Sequence, residues 1–483
     1  MENDSEKPTN LWPWRELQAG LASQATVIAS SNSTSADNAH TPGTNDRIQR
    51  VVVDSRLVAK GDLFIALPGD PGPRFNPSYT SDVDGHDFVQ HALANGAVAA
   101  IVARPVPVEL PQIIVNDTYD ALWQLGAMAR DRLHQPICAI TGSSGKTTAK
   151  HFLTEALSAY SPPGSFNNHI GVPLALANAR LDAPACVFEI GTSGPGEIGP
   201  LSMMVRPDLA ILLNVHNAHI ENFSGRAALI EEKAQIFAPM DTSSAGIKVV
   251  EAALGMPGYN FGAEQGADAR ILDIQGDSLM LSLFGEKLSA RIPGGGVHRA
   301  NTLAAVILAT KLLDVDLSAA LNLADTVIPD GRGNVIDVGG VIIVDDSYNA
   351  NPASMGAAID AFCQRQGRRK VAVLGDMREL GDESIAAHKG LLEHLEGFDE
   401  VFLVGDAMLQ MAVSEGFLSA PVLTRNAGTI FKNLHFYPEA DESLLQDLVD
   451  SVGTDDCLLV KGSNRVFWAP DFVSKLCKAI SKK

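Results

Sequence analysis

The stretch ICAITGSSGKTTAKHFLTEAL, residues 137–157, decides the fold of the middle of the chain. An apolar run that predicts a β-strand leads into TGSSGKTT, and a helical pattern begins near Lys146. Such a turn directs its backbone N–H groups and the positive end of the helix at one point, where a phosphate group can bind. Gly142 and Gly145 leave room for the phosphate. Lys146 can reach the outer phosphates of a nucleotide, and the Thr147 hydroxyl suits Mg²⁺.

We therefore predict that this loop binds ATP with Mg²⁺. Its residues are Gly142, Ser143, Ser144, Gly145, Lys146, Thr147 and Thr148. The longer G-x-x-x-x-G-K-T form would need a glycine at Ile140, so the loop is the shorter G-x-x-G-K-T. An ordinary Gly/Ser turn before a helix is the competing interpretation, but the strand before it and GKT at the joint favour phosphate binding. The loop alone does not separate an ATPase, a kinase and a ligase.

Outward from this stretch, strands alternate with helices on both sides, which predicts an α/β protein of three domains. A small N-terminal α/β domain spans residues 1–134, with a helix around 14–21. The stretch 25–46 is rich in Ser, Thr, Asn and Gly, which predicts a flexible loop with bounds of about 28–46. A central, doubly wound P-loop ATPase sheet spans 135–330. The C-terminal Rossmann-like domain, 331–483, contains four apolar runs that end in Asp, Gly or Ser: GVIIVDDS, KVAVLGD, EVFLVGD and CLLVKGS.

The overall composition is that of an ordinary globular protein. The 483 residues are 46% hydrophobic and 19% charged, with a formal net charge of −20. This charge argues against nucleic acid as a partner, because nucleic-acid binders carry a basic face. The N-terminus lacks the pattern of a signal peptide, no apolar run is long enough to cross a membrane, and the five cysteines show no metal-ligand spacing. We therefore expect a cytoplasmic protein without membrane or nucleic-acid partners.

Polar residues at the ends of predicted strands are the other candidates for chemistry. Glu189 ends an apolar strand, where it is either a ligand for a hard cation or a solvated or capping group. His216 and His219 follow another strand, but no third ligand at a suitable spacing favours zinc. Lys233 lies in the charge cluster AALIEEKAQIF, and the residues alone favour a solvent-facing lysine. The segment DDSYNANPASM, 345–355, is either a ligand site or a cluster of turn-forming Asx residues.

Taken together and in order, these segments resemble the Mur ligase family of ATP-dependent amino-acid and peptide ligases. The resemblance runs from about Leu11 to the C-terminus. The matching segments are VDSRLVAKGDLFIALPG, DGHDFVQHALANGA, TGSSGKTT, FNNHIGVP, EIGTSGPGEI, NVHNAHIENF, HRANTLAA, GRG, DDSYNANPASM, VLGDMRELG with His388, and VKGS. It implies an N-terminal domain for a uridine nucleotide, a central ATPase domain and a C-terminal Rossmann-like domain. It also implies phosphoryl transfer from ATP to a substrate carboxylate, followed by attack of an amine on the acyl phosphate.

Within the family, the resemblance is to the dipeptide-adding branch. That branch joins D-alanyl-D-alanine to UDP-N-acetylmuramoyl-tripeptide in peptidoglycan precursor synthesis, with release of ADP and phosphate, and a monomer is expected. A diamino-acid-adding ligase acting on UDP-N-acetylmuramoyl-dipeptide is the alternative, but its D-N-P-R motif is replaced here by DDSYNANP. A non-catalytic nucleotide-binding module would be expected to lose Lys233, His219 or Arg332, and all three are present. The sequence does not specify the third residue of the tripeptide.

The resemblance also implies roles for individual residues. Lys146 contacts the ATP phosphates and Thr147 one Mg²⁺, while Glu189 and His219 hold a second Mg²⁺. Lys233 matches a lysine that many members carry in carbamylated form, which reverses the solvent-facing interpretation, because a carbamate is an anionic oxygen ligand. The remaining roles are adenine binding by Asn301, γ-phosphate contact by Arg332, ribose contact by Asp346, uridine-nucleotide binding by Asp54, Ser55 and Arg56, muramoyl-side contacts by Asn167 and Asn168, and substrate or nucleotide contacts by Tyr348, Asn349 and Asn351.

Three departures from the family pattern leave questions open. His298-Arg299 stands where the family usually has HN, which puts one adenine contact in doubt. The stretch 68–82 is longer than usual, so the uridine pocket is expected to be lined differently. MDTSSAGIKVV, 240–250, replaces a Gly-rich strand, so we expect part of the central sheet to be altered or lost there.

Overall fold

The computed structural model describes residues 12–21, 25–28, 47–73, 75, 80–216, 222–242, 246–365, 369–378, 380–417 and 434–483. These residues divide into two compact units. The first takes in the described residues up to Thr141 with Leu157–Ile211 and Glu232–Lys248, and the second takes in Gly142–Ala156, Leu212–Glu231 and Val249–Lys483. This division does not test the domain boundaries expected after residues 134 and 330, which stay predictions.

The first unit begins with a five-stranded sheet of order β2-β7-β6-β5-β4. Strands β4 to β7 are parallel and β2 is an antiparallel edge. Parallel neighbours need crossover connections, and α2 makes one of them, between β5 and β6. The bounds are β1 Trp12–Pro13, α1 Trp14–Leu21, β2 Ala25–Ile28, β3 Arg47–Ile48, β4 Val51–Val52, β5 Leu63–Ile65, α2 Val89–Ala94, β6 Ala99–Val102, β7 Gln112–Val115 and α3 Thr118–Arg132.

The same unit continues with three strands in the order β10-β8-β9, of which β8 and β9 are parallel. Every residue of β8 and of β9 is buried, as expected for a parallel sheet covered on both faces. The bounds are β8 Ile137–Thr141, α5 Gly171–Ala177, β9 Cys186–Glu189, α6 Ile198–Val205, β10 Leu209–Leu212 and α8 Ala238–Thr242. Helix α7, Arg226–Ala234, begins in the second unit and ends in the first.

The second unit holds α4, Lys146–Leu157, except for its last residue. It also holds five strands in the order β15-β14-β13-β12-β11, except for the first two residues of β11. Strands β11 to β13 are parallel, and β13 to β15 form an antiparallel meander. The long helix α9 is buried along most of its length. The bounds are β11 Ile247–Glu251, β12 Tyr259–Gly262, β13 Ala269–Gln275, β14 Ser278–Leu283, β15 Glu286–Arg291, α9 Val297–Leu312 and α10 Ser318–Leu321.

A six-stranded sheet of order β16-β17-β21-β18-β19-β20 completes the second unit. All its neighbours are parallel except β16 and β17. Separate apolar clusters cover its two faces. The bounds are β16 Asn334–Val338, β17 Val341–Asp346, α11 Pro352–Cys363, β18 Lys370–Gly375, α12 Ser384–Gly390, β19 Glu400–Val404, α13 Asp406–Ser414, β20 Leu434–Tyr437, α14 Glu442–Ser451, β21 Cys457–Lys461 and α15 Phe472–Ile480.

Several expectations can be compared with these elements. The helix at 14–21, the strand before the loop at 142–148, the helix from Lys146 and the four apolar C-terminal strands are confirmed. Residues 25–28 form strand β2, so the loop predicted there was wrong, and 29–46 lie outside the described residues. The loss of sheet expected after Phe237 was also wrong, because β11 occupies 247–251. Within the described residues, no helix has both the length and the apolar character to cross a membrane.

Helix α12 contains a fully buried histidine, His388, whose hydrogen bonds define its protonation state. His388 Nδ1 lies 2.7 Å from the Ser384 carbonyl oxygen, which can only accept a hydrogen bond, so Nδ1 carries the proton. The Met377 backbone N–H donates to Nε2 at 2.9 Å. Burial therefore lowers the pKa of His388, although Asp376 at 4.0 Å opposes the shift. The ring is neutral in the folded protein.

We predict that His388 makes the protein less stable as the pH falls below 6.5, the ordinary pKa of histidine. Below that pH the unfolded chain binds a proton that the folded chain excludes, so stability falls by up to about 1.4 kcal/mol per pH unit. The measurement is urea unfolding of the wild type and of His388→Ala between pH 5 and pH 7.5. The variant should be less stable at pH 7.5 but lose less on acidification; equal slopes would contradict the prediction.

Candidate active site

The loop that the sequence predicts to bind phosphate follows β8 directly and leads into α4. Gly145 has φ +78°, and a Cβ atom there would lie 3.3 Å from Thr302 Oγ1, so both the backbone conformation and the space favour glycine. Lys146 Nζ donates to the Gly142 carbonyl at 2.7 Å, so the ammonium lies back over the loop. Thr147 is buried at the start of α4. The loop is therefore a glycine turn that leads directly into α4, and its phosphate-binding role stays a prediction.

Asn214 braces this loop, and the sequence analysis did not identify it. The Ser144 N–H donates to Asn214 Oδ1 at 3.0 Å, and Asn214 Nδ2 donates to the Ser144 carbonyl at 3.2 Å. The Ser143 N–H donates to the Asn214 carbonyl at 3.1 Å. Ser143 Oγ in turn donates to the His216 carbonyl at 3.0 Å. The position of Asn214 just after an apolar strand was the available signal.

Glu189 ends β9 and is fully buried. Ser165 Oγ and Asn167 Nδ2 both donate to its Oε1 atom, the latter at 2.9 Å. The Glu189 carboxylate is therefore held within the fold rather than solvated. A carboxylate is a hard oxygen donor of the kind that Mg²⁺ prefers, so Glu189 fits that ion chemically, and the Thr147 hydroxyl fits a separate ion in the same way.

The neighbouring Asn168 has a structural contact of its own. Its Oδ1 atom accepts from the Gly171 N–H at 2.9 Å and from the Ile170 N–H at 3.2 Å, at the start of α5. Asn168 therefore stabilises the first turn of that helix, while Asn167 contacts Glu189. The muramoyl-side roles of both residues stay predictions.

Lys233 near the end of α7 is 2% exposed, so the solvent-facing position that the residues alone favoured was wrong. The adjacent Glu232 carboxylate accepts three backbone N–H groups at the start of α6: Gly196 at 2.7 Å, Glu197 at 3.0 Å and Ile198 at 2.8 Å. A carboxylate on the first amides of a helix is favourable, so Glu232 fixes α7 against α6. The charge cluster in the sequence did not predict this anchor.

His219 lies outside the described residues, so its predicted metal contact stays a prediction. Across the described ranges, no three His, Cys, Asp or Glu side chains converge as a metal site.

In the C-terminal sheet, Asp346 at the end of β17 pairs with Lys461 at the end of β21. Lys461 Nζ lies 2.7 Å from Asp346 Oδ2 and also donates to the Asn349 carbonyl at 3.2 Å. Burial raises the pKa of Asp346, but the hydrogen bond and charge of Lys461, together with Arg299 and His298, outweigh burial and lower that pKa. Asp346, the predicted ribose-side aspartate, is therefore an ionised carboxylate that is fixed in position by Lys461. The sequence analysis did not identify Lys461 as its partner.

The segment after β17 shows the turn-forming contacts that were one of the two interpretations given for it. Asn351 caps α11 in a reciprocal capping box with Ser354, and Asn349 Oδ1 accepts from the Ala350 N–H at 2.9 Å. The turn-forming interpretation is thus confirmed for these two asparagines. Tyr348 differs, because the Arg332 guanidinium lies 4.1 Å from its ring centroid. The ligand roles of all three residues stay predictions.

Two other groups of predicted residues have defined positions. Asp54 caps the short 3₁₀ turn that follows it and forms an ion pair of 2.6 Å with Arg56, whose side chain is 80% exposed. Ser55 Oγ lies 3.0 Å from His91 Nδ1. Asn301 lies in the first half of α9 and is half-buried. The structure therefore brings Asp54, Ser55 and Arg56 together, while their nucleotide roles stay predictions.

We predict that Asn214→Ala lowers the affinity for ATP by about tenfold or more. The substitution removes the Asn214 partners of the half-buried Ser144 N–H and carbonyl, which loosens the loop; a tenfold change in affinity corresponds to about 1.4 kcal/mol. Isothermal calorimetry with a non-hydrolysable ATP analogue measures the change. Asn178→Ala, which removes an amide that bonds Val51 instead, is the control; equal ATP affinity of wild type and Asn214→Ala would contradict the bracing role.

Both the central and the C-terminal parts of the chain match known protein families. Residues 140–309 match the Mur ligase middle domain, and residues 331–464 match the Mur ligase glutamate ligase domain. UDP-N-acetylmuramoyl-tripeptide--D-alanyl-D-alanine ligase of Rickettsia prowazekii is 30% identical over 86% of this chain and 92% of its own length. The Escherichia coli enzyme of that name is 31% identical over 78% of this chain and 86% of its own.

Solved structures agree with the sequence matches. A crystal structure of MurF from Acinetobacter baumannii has a TM-score of 0.76 at 29% identity and covers 98% of this chain and 100% of its own. MurF from Thermotoga maritima in complex with ADP has a TM-score of 0.71 at 28% identity and covers 90% of this chain and 98% of its own. These likenesses confirm the α/β fold class with the three-domain architecture expected from the sequence. The chain belongs to the Mur ligase family of ligases.

Proposed function

We propose that this protein is an ATP-dependent ligase that joins D-alanyl-D-alanine to UDP-N-acetylmuramoyl-tripeptide in peptidoglycan precursor synthesis, and that it acts as a monomer. The observation that carries the proposal is the braced loop at 142–148 in a chain that covers 92% of the length of a ligase of this specificity. The likeness to an ADP-bound MurF supports the use of ATP. No nucleic acid or membrane is needed for the reaction.

The reaction has two steps. An oxygen of the tripeptide carboxylate attacks the γ-phosphorus of ATP, the bond to the β-phosphate oxygen breaks, and ADP leaves. The amine of D-alanyl-D-alanine then attacks the carbonyl carbon of the acyl phosphate, loses a proton, and phosphate departs as the amide forms. Phosphoryl transfer needs positioning and charge neutralisation more than covalent help. Lys146 and the loop amides supply both at the outer phosphates, and Arg332 adds a second positive charge at the γ-phosphate.

Mg²⁺ fits the oxygen donors of the chain, and two sites are proposed. Thr147 would hold one ion, and Glu189, His219 and a carbamylated Lys233 would hold the other. When bound, Mg²⁺ neutralises phosphate oxygens. The buried position of Lys233, 2% exposed, supports a ligand role inside the protein rather than on its surface.

The remaining contacts follow the family pattern. We assign ADP recognition to Asn301 and Asp346, the second of which is held in its ionised form by Lys461. The uridine-nucleotide contacts are assigned to Asp54, Ser55 and Arg56, the muramoyl contacts to Asn167 and Asn168, and further substrate or nucleotide contacts to Tyr348, Asn349 and Asn351.

A cavity of about 440 Å³ supports a place for the dipeptide. Its described lining residues are Val215, His216, Arg226, Asn351, Pro352 and Ala353. His216 is joined to the phosphate-binding loop through Ser143, so the cavity lies beside the expected γ-phosphate. A volume of this size suits a small ligand. Arg226, which makes one long contact of 3.5 Å to the Val215 carbonyl, can bind the C-terminal carboxylate of the dipeptide.

We predict that phosphate is released from ATP only when UDP-N-acetylmuramoyl-tripeptide and D-alanyl-D-alanine are both present. Phosphate release and mass spectrometry of the product measure the reaction, with single amino acids as comparison acceptors.

Arg226→Ala should raise KM for the dipeptide about tenfold or more, because a charge-assisted hydrogen bond is lost. Arg180→Ala, which removes an exposed arginine paired with Asp182, is the matched control.

Two results would count against this assignment. Turnover with a free diamino acid on the dipeptide precursor, and none with D-alanyl-D-alanine, would assign the protein to the diamino-acid-adding branch. An unchanged KM for D-alanyl-D-alanine in Arg226→Ala would show that Arg226 does not bind the carboxylate of the dipeptide. The proposed overall reaction would not be affected by that result.

We predict that Lys233→Ala loses most of its activity and that short-chain carboxylates restore part of it. An added carboxylate can occupy the space of the missing carbamate and supply its oxygen atoms. The measurement is turnover of the variant with and without acetate or propionate, against wild type under the same salt. The matched control is Lys248→Ala, a lysine over the Phe237 ring. Full activity of Lys233→Ala without added carboxylate would exclude the ligand role.

A further inference from the structure

We infer that Arg299 is a positioning residue that holds the loop Gly331–Gly333 so that Arg332 is presented to the nucleotide. Arg299 lies in the first turn of α9 and is 7% exposed. Its Nη1 atom donates to the Gly294 carbonyl at 3.0 Å and the Gly295 carbonyl at 3.1 Å. Its Nη2 atom donates to the Arg332 carbonyl at 3.0 Å and the Gly333 carbonyl at 3.3 Å. One guanidinium thus joins two glycine-rich turns.

Both turns are shaped around this guanidinium. A Cβ atom at Gly333 would lie 1.8 Å from Arg299 Nη2, and one at Gly294 would lie 2.9 Å from Nη1. Both glycines also have φ in the left-handed region, at +86° and +67°. A lysine could not replace the four contacts, since its ammonium is a single point charge whereas the guanidinium is a planar fork of donors. Arginine at 299 and glycine at 294 and 333 therefore depend on one another.

The loop is also held from its other end, so that Arg332 has little freedom. The Tyr348 N–H donates to the Gly331 carbonyl at 2.9 Å, and the Trp468 ring occupies the space of a Cβ atom at Gly331. The Arg332 side chain then lies over the Tyr348 ring, 4.1 Å from its centroid. Arg299 fixes the backbone of Arg332, and Tyr348 supports its side chain. A catalytic group needs such support to keep its geometry.

The charge of Arg299 is satisfied in an unusual way. Among the described residues no carboxylate forms an ion pair with it, and the partners of its hydrogen bonds are backbone carbonyls. An arginine stays charged in proteins, and a buried charge is costly unless it is hydrogen-bonded. If the contacts to the loop were lost, the buried guanidinium would have fewer hydrogen bonds and the folded protein would be less stable. The position of the loop therefore depends on Arg299.

A double-mutant cycle tests whether Arg299 acts through Arg332, and it rests on the proposed ligase function. The variants are Arg299→Lys, Arg299→Ala, Arg332→Ala and the two double variants, assayed for kcat and KM in product formation. A misplaced catalytic group typically costs about tenfold to a hundredfold in rate. We expect Arg299→Lys to lower kcat by about that factor, with KM for D-alanyl-D-alanine unchanged, and to add less than about twofold in the Arg332→Ala background.

A kcat loss of equal size in both backgrounds would overturn the inference, because Arg299 would then act independently of Arg332. Arg291→Lys is the control for general stability, since Arg291 donates to the Leu323 carbonyl and pairs with Asp325 rather than contacting the loop. If Arg299→Ala fails to fold, Arg299→Lys carries the test.

A second measurement does not depend on catalysis. Trypsin cleaves after arginine, and the carbonyl of the Arg332–Gly333 bond is the group that Arg299 holds. In folded Arg299→Lys, cleavage there should be at least about threefold faster than in wild type or Arg291→Lys, because local opening exposes the bond. Mass spectrometry identifies the fragments 1–332 and 333–483. Equal cleavage rates would overturn the inference. If wild type forms no ligation product, the proposed function fails, and the cleavage rates alone decide whether Arg299 holds the loop.

Discussion

The site depends on a constraint set by the backbone at residues 142–148. A turn that binds phosphate must leave several N–H groups directed at the ligand, and these groups cannot also stabilise the turn. The turn must therefore be held by other atoms. Asn214 does this by pairing with both the N–H and the carbonyl of Ser144. Because Asn214 holds the turn when no ligand is present, the proposed binding of ATP would need little reorganisation of the loop.

Asp346 and Arg332 in the second unit, which are proposed to contact the nucleotide, are also held in place by other residues. Lys461 is 2% exposed and holds Asp346 in its ionised form, while Arg299 holds the carbonyls on either side of the Arg332–Gly333 bond. In the first unit, Glu232 anchors α7 through three amides of α6 next to Lys233. Three predicted ligand residues, Asp346, Arg332 and Lys233, thus lie next to a charged residue that stabilises the surrounding fold. Proteins locate functional groups accurately only when such supporting contacts exist.

Local patterns predicted part of this and failed on the rest for physical reasons. Apolar runs and the GKT turn gave the strands and the start of α4, because hydrophobic period and turn chemistry are local. The antiparallel meander β13 to β15 was not predicted, although the alternation of exposed and buried residues along β14 is typical of a strand with one covered face. Lys233 was misplaced because a charge cluster says nothing about the tertiary packing that covers it. Asn214 and Lys461 were missed because their partners are 70 and 115 residues away.

The departure at Arg299 shows how a substitution can change the role of a position. In the sequence, arginine at position 299 put one adenine contact in doubt. In the structure, the Arg299 guanidinium donates hydrogen bonds to four backbone carbonyls. A side chain committed in this way cannot also recognise a base. The position therefore contributes loop geometry, and adenine recognition has to come from other groups, of which Asn301 two residues further along α9 is the candidate.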